Sequence, residues 1–142
     1  MRALVQRVAR ASVRVEGEVV SAIDSGLLVL LGVTHGDSER EARRIAEKIR
    51  ALRVFPDATG RMNEPLGPDR EVLCVSQFTL YSDTRKGTRP SYAAAAAPEV
   101  ARPLYELVCE LLDARRGVFG AHMEVELVND GPVTLLVEVA PQ

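Results

Sequence analysis

Two stretches with helical periodicity, set among stretches with strand periodicity, predict an α+β fold for this chain of 142 residues. We expect a single domain, residues 1–142, in which two main helices pack on a mixed or antiparallel, barrel-like β-sheet. Apolar residues make up 46% of the chain and charged residues 27%, a balance typical of soluble globular proteins. No apolar run approaches the roughly 20 residues of a membrane span, so we expect a cytoplasmic protein.

The first strands are predicted from alternating apolar and polar residues. Three such runs lie within residues 2–23, and Glu16-Gly17 is placed to turn one strand into the next, which indicates an N-terminal hairpin. Residues 27–33 are almost entirely apolar, so this run is predicted to be a central strand buried on both faces.

Each helix is predicted from apolar residues that recur every three or four positions. Ser38 and Glu41 have the spacing of a capping box at the start of the first helix. For the second helix, the alanines at 93–97 favour helix, Pro98 suits a first turn and Gly117 marks the end.

The remaining segments are a loop and three strands. Pro and Gly are dense between residues 55 and 70, which predicts a long irregular loop. Residues 72–81 are predicted to form one strand, and residues 123–128 and 133–139 are predicted to form two more.

The turn between those last two strands contains the sequence Asn129-Asp130-Gly131-Pro132. Asp-Gly favours a hairpin, but a proline removes a backbone donor where the second strand begins its ladder. An ordinary surface hairpin with an edge proline is one interpretation. The other is an unusual geometry at Gly131-Pro132, including a cis peptide bond, in which the backbone contacts a ligand.

A second unusual segment is Ser76-Gln77-Phe78-Thr79, where polar residues continue an apolar strand into the predicted core. On a strand, Gln77 and Thr79 would share one face and Ser76 and Phe78 the other. The polar groups either bond to neighbouring backbone or line a pocket that binds a substrate.

Few side chains offer conventional catalytic chemistry. His35 lies in a predicted turn that suits a solvated histidine, and His122 has no evident partner. Cys74 and Cys109 lie far apart in apolar surroundings, which predicts buried free thiols. We find no glycine loop for phosphate, and we expect no metal and no cofactor.

The pairing of Ser76-Gln77-Phe78-Thr79 with Gly131-Pro132-Val133-Thr134 closely resembles the D-aminoacyl-tRNA deacylases. The similarity extends to the opening residues Met1-Arg2-Ala3-Leu4-Val5-Gln6-Arg7-Val8 and to Asp83-Thr84-Arg85-Lys86-Gly87. It runs essentially from end to end, and the two motifs are specific as a pair.

The resemblance implies a homodimer in which the Gly131-Pro132 motif of one subunit reaches the active site of the other. It implies that this peptide bond is cis and that its carbonyl oxygens face the pocket. It also implies hydrolysis of the ester between tRNA and a D-amino acid, or glycine mischarged on tRNA-Ala, while L-aminoacyl-tRNA is rejected.

Within the resemblance, the backbone near Phe78 and Thr79 polarises the ester carbonyl, and Ser76 and Gln77 position the 3′-terminal adenosine. The 2′-hydroxyl of that adenosine helps to activate water, and Thr79 as the nucleophile is the competing mechanism. The supporting residues of the Gly-Pro motif are Asn129, Val133 and Thr134.

The cations allow two interpretations. Arg85, Lys86 and Arg89 either bind tRNA phosphates or form a solvated basic loop, and the net charge of −2 is compatible with a local basic patch. Arg7 either orients the incoming Gly-Pro segment or is a strand-face charge. A tRNA-binding module without catalysis and an oligomeric scaffold are the rival functions.

Overall fold

The computed structural model describes residues 1–142 as an α+β fold with a barrel-like sheet and two α-helices, as predicted. In chain order the elements are β1 (Arg2–Val15), β2 (Glu18–Ile23), β3 (Gly26–Gly32), α1 (Glu39–Ala51), β4 (Phe55–Pro56), β5 (Met62–Glu64), β6 (Glu71–Ser76), a 3₁₀ turn (Phe78–Tyr81), α2 (Pro98–Leu111), β7 (Arg115–Arg116) and β8 (Glu124–Glu138). Strands β4 and β5 form a separate two-stranded sheet.

The long strand β1 is the centre of the main sheet. Its first half pairs with β3 and its second half with β2, both antiparallel, while β8 pairs along its other edge. The predicted turn at Glu16-Gly17 is confirmed, and both residues have positive φ. The sequence runs that suggested separate short strands before this turn belong to one continuous strand.

Strand β3 is central, as its apolar sequence predicted. It pairs with β1 on one side and in parallel with β6 on the other, and β6 pairs in parallel with β7. Six of its seven residues are buried, all except Leu30. The sheet is therefore mixed, with its parallel part in the best covered region.

The first helix begins as predicted, because the capping box of Ser38 and Glu41 is present. Its apolar face, including Ala42, Ile45 and Ile49, is fully buried in the main core. The Glu41 carboxylate accepts hydrogen bonds from the backbone and side chain of Ser38, both at 2.7 Å, and these bonds lower its pKa to about 2.

The second helix differs from the prediction at both ends. Pro98 occupies its first turn, as expected, but the alanines at 93–97 are not helical. They run beside the end of β3, where the N–H of Ala96 donates to the carbonyl of Val33 at 2.9 Å and Ala95 pairs with Thr34. This tertiary pairing overrides the helix propensity of alanine. The helix ends at Leu111, before Gly117.

The segment between residues 55 and 70 is more ordered than an irregular loop, since it contains the short hairpin of β4 and β5. Cys74 and Cys109 are buried and free, as predicted. Neither helix is long and apolar enough to cross a bilayer.

Candidate functional site

The Ser76–Thr79 segment is not a continuous strand, so the prediction of one strand over 72–81 is wrong. Strand β6 ends at Ser76 because its parallel partner β3 ends at Gly32, which leaves no further ladder. Gln77 N–H makes the last bond to this partner, at 2.7 Å from the Leu31 carbonyl, and the chain then enters the 3₁₀ turn. The predicted alternation of faces fails because this turn repeats every three residues.

Gly32 allows the turn to pack tightly on the end of β3. A Cβ atom at this position would lie 3.1 Å from the Gln77 carbonyl oxygen and 3.1 Å from the Leu80 Cβ. Gly32 was not among the site residues predicted from the sequence. The available signal was a glycine that interrupts an apolar strand run, which often marks close approach of another backbone.

The polar side chains of this segment are half-buried and contact one another. The amide nitrogen of Gln77 donates to the Thr79 hydroxyl, and Ser76 is also half-buried, whereas Phe78 is 55% exposed. Phe78 and Thr79 are the first residues of the 3₁₀ turn, so their N–H groups have no acceptor within it. The segment therefore offers a hydroxyl, an amide and two backbone donors at the surface.

No side chain from Ser76 to Thr79 titrates near neutral pH. In the same turn, burial and the nearby Asp37 raise the pKa of Tyr81 to about 12, so Tyr81 stays protonated. His35 is exposed and its Nε2 lies 2.8 Å from the Ala93 carbonyl oxygen, while His122 is exposed just before β8. The site can position and polarise a group, but it contains no strong base of its own.

The Gly131-Pro132 motif lies inside one long strand, so the prediction of two strands joined by a hairpin is wrong. Strand β8 runs from Glu124 to Glu138 and stays paired with β1 on both sides of the motif. Gln6 of β1 pairs with Thr134 of β8, and Val8 pairs with Asn129. Between these two pairs β1 advances by two residues, whereas β8 advances by five. The extra residues form a bulge, defined here as residues 129–134, and the Gly131-Pro132 peptide bond is cis.

Side chains hold this bulge closed. The Asn129 Oδ1 accepts from the Val133 N–H at 2.9 Å, and its Nδ2 donates to the Thr134 hydroxyl at 2.8 Å. Gln6 also donates to the Thr134 hydroxyl, at 3.3 Å. These bonds connect the two ends of the bulge, while Gly131 and Pro132 remain exposed between them.

Arg7 fixes the bulge to the rest of the chain. Its Nε donates to the Asp130 carbonyl at 2.9 Å, its Nη1 donates to the Val54 carbonyl at 2.6 Å, and the Asp130 carboxylate lies 3.5 Å from Nε. These contacts are made to the motif of its own chain. Arg7 is therefore more than a strand-face charge.

The two predicted motifs are not adjacent within one chain. Ser76 pairs with Leu31 of β3, and Leu31 pairs with Ala3 of β1. The bulge is instead hydrogen-bonded to Arg7 of β1. Ala3 and Arg7 are four residues apart along β1, roughly 13 Å at the rise of a strand. The Ser76–Thr79 segment and the bulge are therefore separate within one chain.

The basic loop is less uniform than its sequence suggests. Arg85 makes a forked ion pair with Asp83, with nitrogen-oxygen distances of 2.7 to 3.1 Å, and these hydrogen bonds lower the pKa of Asp83 to about 2. Lys86 and Arg89 are exposed and make no ion pair. The charge of Arg85 is thus partly satisfied locally.

Two cavities of the chain are not lined by Ser76–Thr79, although the second includes Tyr81 of the same 3₁₀ turn. A groove of about 640 Å³ lies between α1 and the second half of β8, and a smaller cavity of about 350 Å³ is lined by Arg2, Tyr81 and Arg85, among others. No group of three or more His, Cys, Asp or Glu side chains is placed to hold a metal ion.

Comparison with known proteins assigns the family. Residues 4–138 match the family described as D-Tyr-tRNA(Tyr) deacylase. The chain is 56% identical to a D-aminoacyl-tRNA deacylase of Myxococcus xanthus, in an alignment that covers 97% of this chain and 94% of the relative. It is 52% identical to a D-aminoacyl-tRNA deacylase of Halalkalibacterium halodurans, in an alignment that covers 97% of this chain and 99% of the relative. A solved structure, the c-Myc DNA Unwinding Element Binding Protein, superposes with a TM-score of 0.93 at 42% identity and covers 99% of both chains.

These matches show that the protein is a hydrolase. The chain belongs to the D-aminoacyl-tRNA deacylase family, as its motifs predicted.

Proposed function

We propose that this chain, acting as one domain over residues 1–142, hydrolyses the ester bond of D-aminoacyl-tRNA and so removes D-amino acids before translation uses them. The observation that supports this most directly is the 3₁₀ turn at Phe78–Tyr81, which presents free backbone donors next to Ser76 and Gln77. Substrates of this kind are found where translation occurs, so we place the enzyme in the cytoplasm.

The chemistry needs little beyond positioning, because an aminoacyl ester is already activated. The N–H groups of Phe78 and Thr79 polarise the ester carbonyl and stabilise its oxyanion. Ser76 and Gln77 hold the 3′-terminal adenosine, whose 2′-hydroxyl assists an attacking water. Water adds to the carbonyl carbon and the bond to the ribose oxygen breaks. That oxygen takes up a proton, and the free amino acid and tRNA leave.

We propose that the active enzyme is a homodimer in which Gly131 and Pro132 of one subunit complete the site of the other. Both residues are exposed, and they lie on β8, whose outer edge pairs with no strand in the chain. Val128, Leu135 and Leu136 on the same strand are exposed apolar residues, which favours an interface there. Asn129, Val133, Thr134 and Arg7 hold the motif in position from within its own subunit.

Chiral selection in this proposal works by exclusion. A rigid main-chain wall at Gly131-Pro132 leaves no room for the side chain of an L-amino acid, while the side chain of a D-amino acid points away from it. Glycine has no side chain to exclude, so glycyl-tRNA is also hydrolysed. Lys86 and Arg89, with a smaller part for Arg85, bind phosphates of the tRNA acceptor end.

The deciding experiment measures release of amino acid from D-tyrosyl-tRNA, L-tyrosyl-tRNA and glycyl-tRNA-Ala in parallel. We expect rapid release from the D-ester and the glycyl ester and background release from the L-ester. Binding of tRNA without release would instead favour a non-catalytic tRNA-binding module. Equal release of both tyrosyl esters would contradict exclusion as the basis of selectivity.

Subunit mixing tests whether the site is shared. A chain with Gly32→Val, which displaces Ser76–Thr79, is mixed with a chain that lacks Gly131 and Pro132. If each site takes one motif from each subunit, mixed dimers contain one intact site and activity returns to about a quarter of the wild-type value. No recovery in mixed dimers, verified by two affinity tags, would contradict a shared site.

A further inference from the structure

Two aromatic rings are exposed in this chain, and they contact each other beside the proposed site. The chain has three Phe and three Tyr residues and no Trp. Phe78 is 55% exposed and Tyr92 is 40% exposed, while the other four aromatic side chains are buried or half-buried. The ring centroids of Phe78 and Tyr92 are 5.1 Å apart, with an angle of 73° between the planes.

This edge-to-face geometry is a favourable aromatic contact, and it orients one ring by the other. It leaves most of the Phe78 ring in contact with solvent. A large apolar surface that is both exposed and held in one orientation is suited to bind a flat ligand.

The backbone on both sides of Tyr92 is fixed, so its ring is not on a loose loop. Before it, Ser91 and Asp83 exchange two backbone hydrogen bonds of 2.8 and 2.9 Å. After it, the carbonyl of Ala93 lies 2.8 Å from His35 Nε2, and Ala95 pairs with Thr34. These contacts hold residues 91–96, which include a turn from Tyr92 to Ala95, beside the end of β3.

Phe78 belongs to the turn whose N–H groups polarise the ester in the proposed function. A base attached to the same nucleotide as that ester is therefore within reach of the Phe78 ring. Every nucleobase has a flat face, and stacking on aromatic side chains is a general means of holding unpaired bases.

We propose that Tyr92 is a positioning residue that holds the Phe78 ring as a stacking surface for the unpaired terminal base of tRNA. This inference rests on the proposed function, since it assigns a binding surface to the same site. Tyr92 itself acts through Phe78 and is not a catalytic residue.

The test compares Tyr92→Ala with Tyr92→Phe, which keeps the ring and removes the hydroxyl. Met62→Ala is the matched control, because Met62 is also 55% exposed but lies in the β4–β5 hairpin. For hydrolysis of D-tyrosyl-tRNA we expect Tyr92→Ala to raise KM about tenfold, in the range of one stacked base, with kcat changed by less than about threefold. Tyr92→Phe and Met62→Ala should retain the wild-type KM.

A direct readout uses uncharged tRNA whose terminal adenine is replaced by 2-aminopurine, which loses fluorescence when it stacks. Wild type, Tyr92→Phe and Met62→Ala should quench the probe, and Tyr92→Ala should quench it much less. Unchanged KM and quenching in Tyr92→Ala would overturn the inference.

The inference would also be overturned if Tyr92→Ala lost activity only by changing the oligomeric state, measured by light scattering, because the rings would then be a subunit contact. An inactive wild-type protein would refute the proposed function. The quenching experiment would still report on stacking in that case.

Discussion

The turn at residues 76–81 and the bulge at residues 129–134 both interrupt a strand with polar residues, but different forces fix them. The turn is fixed by main chain and core, through the bond from Gln77 N–H to the Leu31 carbonyl and the close approach at Gly32. The bulge is fixed at the surface by side chains, chiefly Asn129 and Arg7.

This difference indicates how each segment can be altered. A segment set by backbone packing moves only when a neighbouring backbone is crowded, and its position does not depend on its own side chains. A segment set by side-chain hydrogen bonds loses its geometry when one donor or acceptor is removed, even though the strands on both sides stay paired.

The largest effect on activity is expected from Gly32→Val, because the new side chain would clash with the 3₁₀ turn that packs on the end of β3. The added side chain meets the Gln77 carbonyl, the Leu80 Cβ and the Tyr81 ring, all within 3.2 Å of the first carbon atom alone. The turn must shift by a fraction of an ångström or more. Because misplacement of about 1 Å can cost a hundredfold in rate, we expect kcat/KM for D-tyrosyl-tRNA to fall about a hundredfold.

The matched control is Gly67→Ala, since a Cβ at Gly67 would meet nothing within 4 Å. We expect Gly67→Ala to keep wild-type activity. Circular dichroism and thermal unfolding verify that Gly32→Val remains folded. Wild-type activity in folded Gly32→Val would show that the packing of the turn on β3 does not determine the site.

A smaller effect is expected from Asn129→Ala, which removes two of the hydrogen bonds that close the bulge. Each such bond contributes about 0.5–1.5 kcal/mol, so for two bonds we expect the free energy of unfolding to fall by about 1–3 kcal/mol. Activity should fall about tenfold, and the ratio of D to L hydrolysis should fall with it, because Gly131 and Pro132 are no longer held in one position.

Asn129→Asp tests whether donation by the Asn129 amide matters. Its carboxylate still accepts from the Val133 N–H, and the Thr134 hydroxyl can rotate to donate to the second oxygen, so activity should stay closer to that of wild type than to that of Asn129→Ala. Kinetics with both tyrosyl esters and urea unfolding measure these effects. An Asn129→Ala protein with wild-type D over L selectivity would show that the bulge is held by β1 alone.

The same difference explains how much of the fold and the site the sequence predicted. Features encoded by local chemistry were correct, such as the capping box of Ser38 and Glu41 and the buried strand that became β3. Residues 76–79 were recognised as unusual because polar side chains continue an apolar strand there. Residues 129–132 were recognised because a proline follows a dipeptide that favours a hairpin.

What the sequence did not predict depends on partners distant in the chain. The strand through Ser76 ends because β3 ends at Gly32. The alanines before α2 are not helical because Val33 and Thr34 pair with Ala96 and Ala95. Asp130-Gly131 suggested a hairpin because Asp-Gly favours one locally. The continuous β1 beside it keeps β8 in register on both sides instead, and a bulge results.

The smallest effect is expected from Thr79→Ala, which tests whether a side chain of the turn matters at all. The Thr79 hydroxyl accepts from the Gln77 amide, and no titratable group is hydrogen-bonded to it to act as a base. Because the donor role belongs to the backbone N–H, which alanine retains, we expect kcat to stay within about fivefold of wild type, with Thr79→Ser closer still. Single-turnover release from D-tyrosyl-tRNA measures this. A loss above roughly a thousandfold in Thr79→Ala, about 4 kcal/mol, with activity retained in Thr79→Ser, would identify the hydroxyl as the nucleophile and overturn the backbone mechanism.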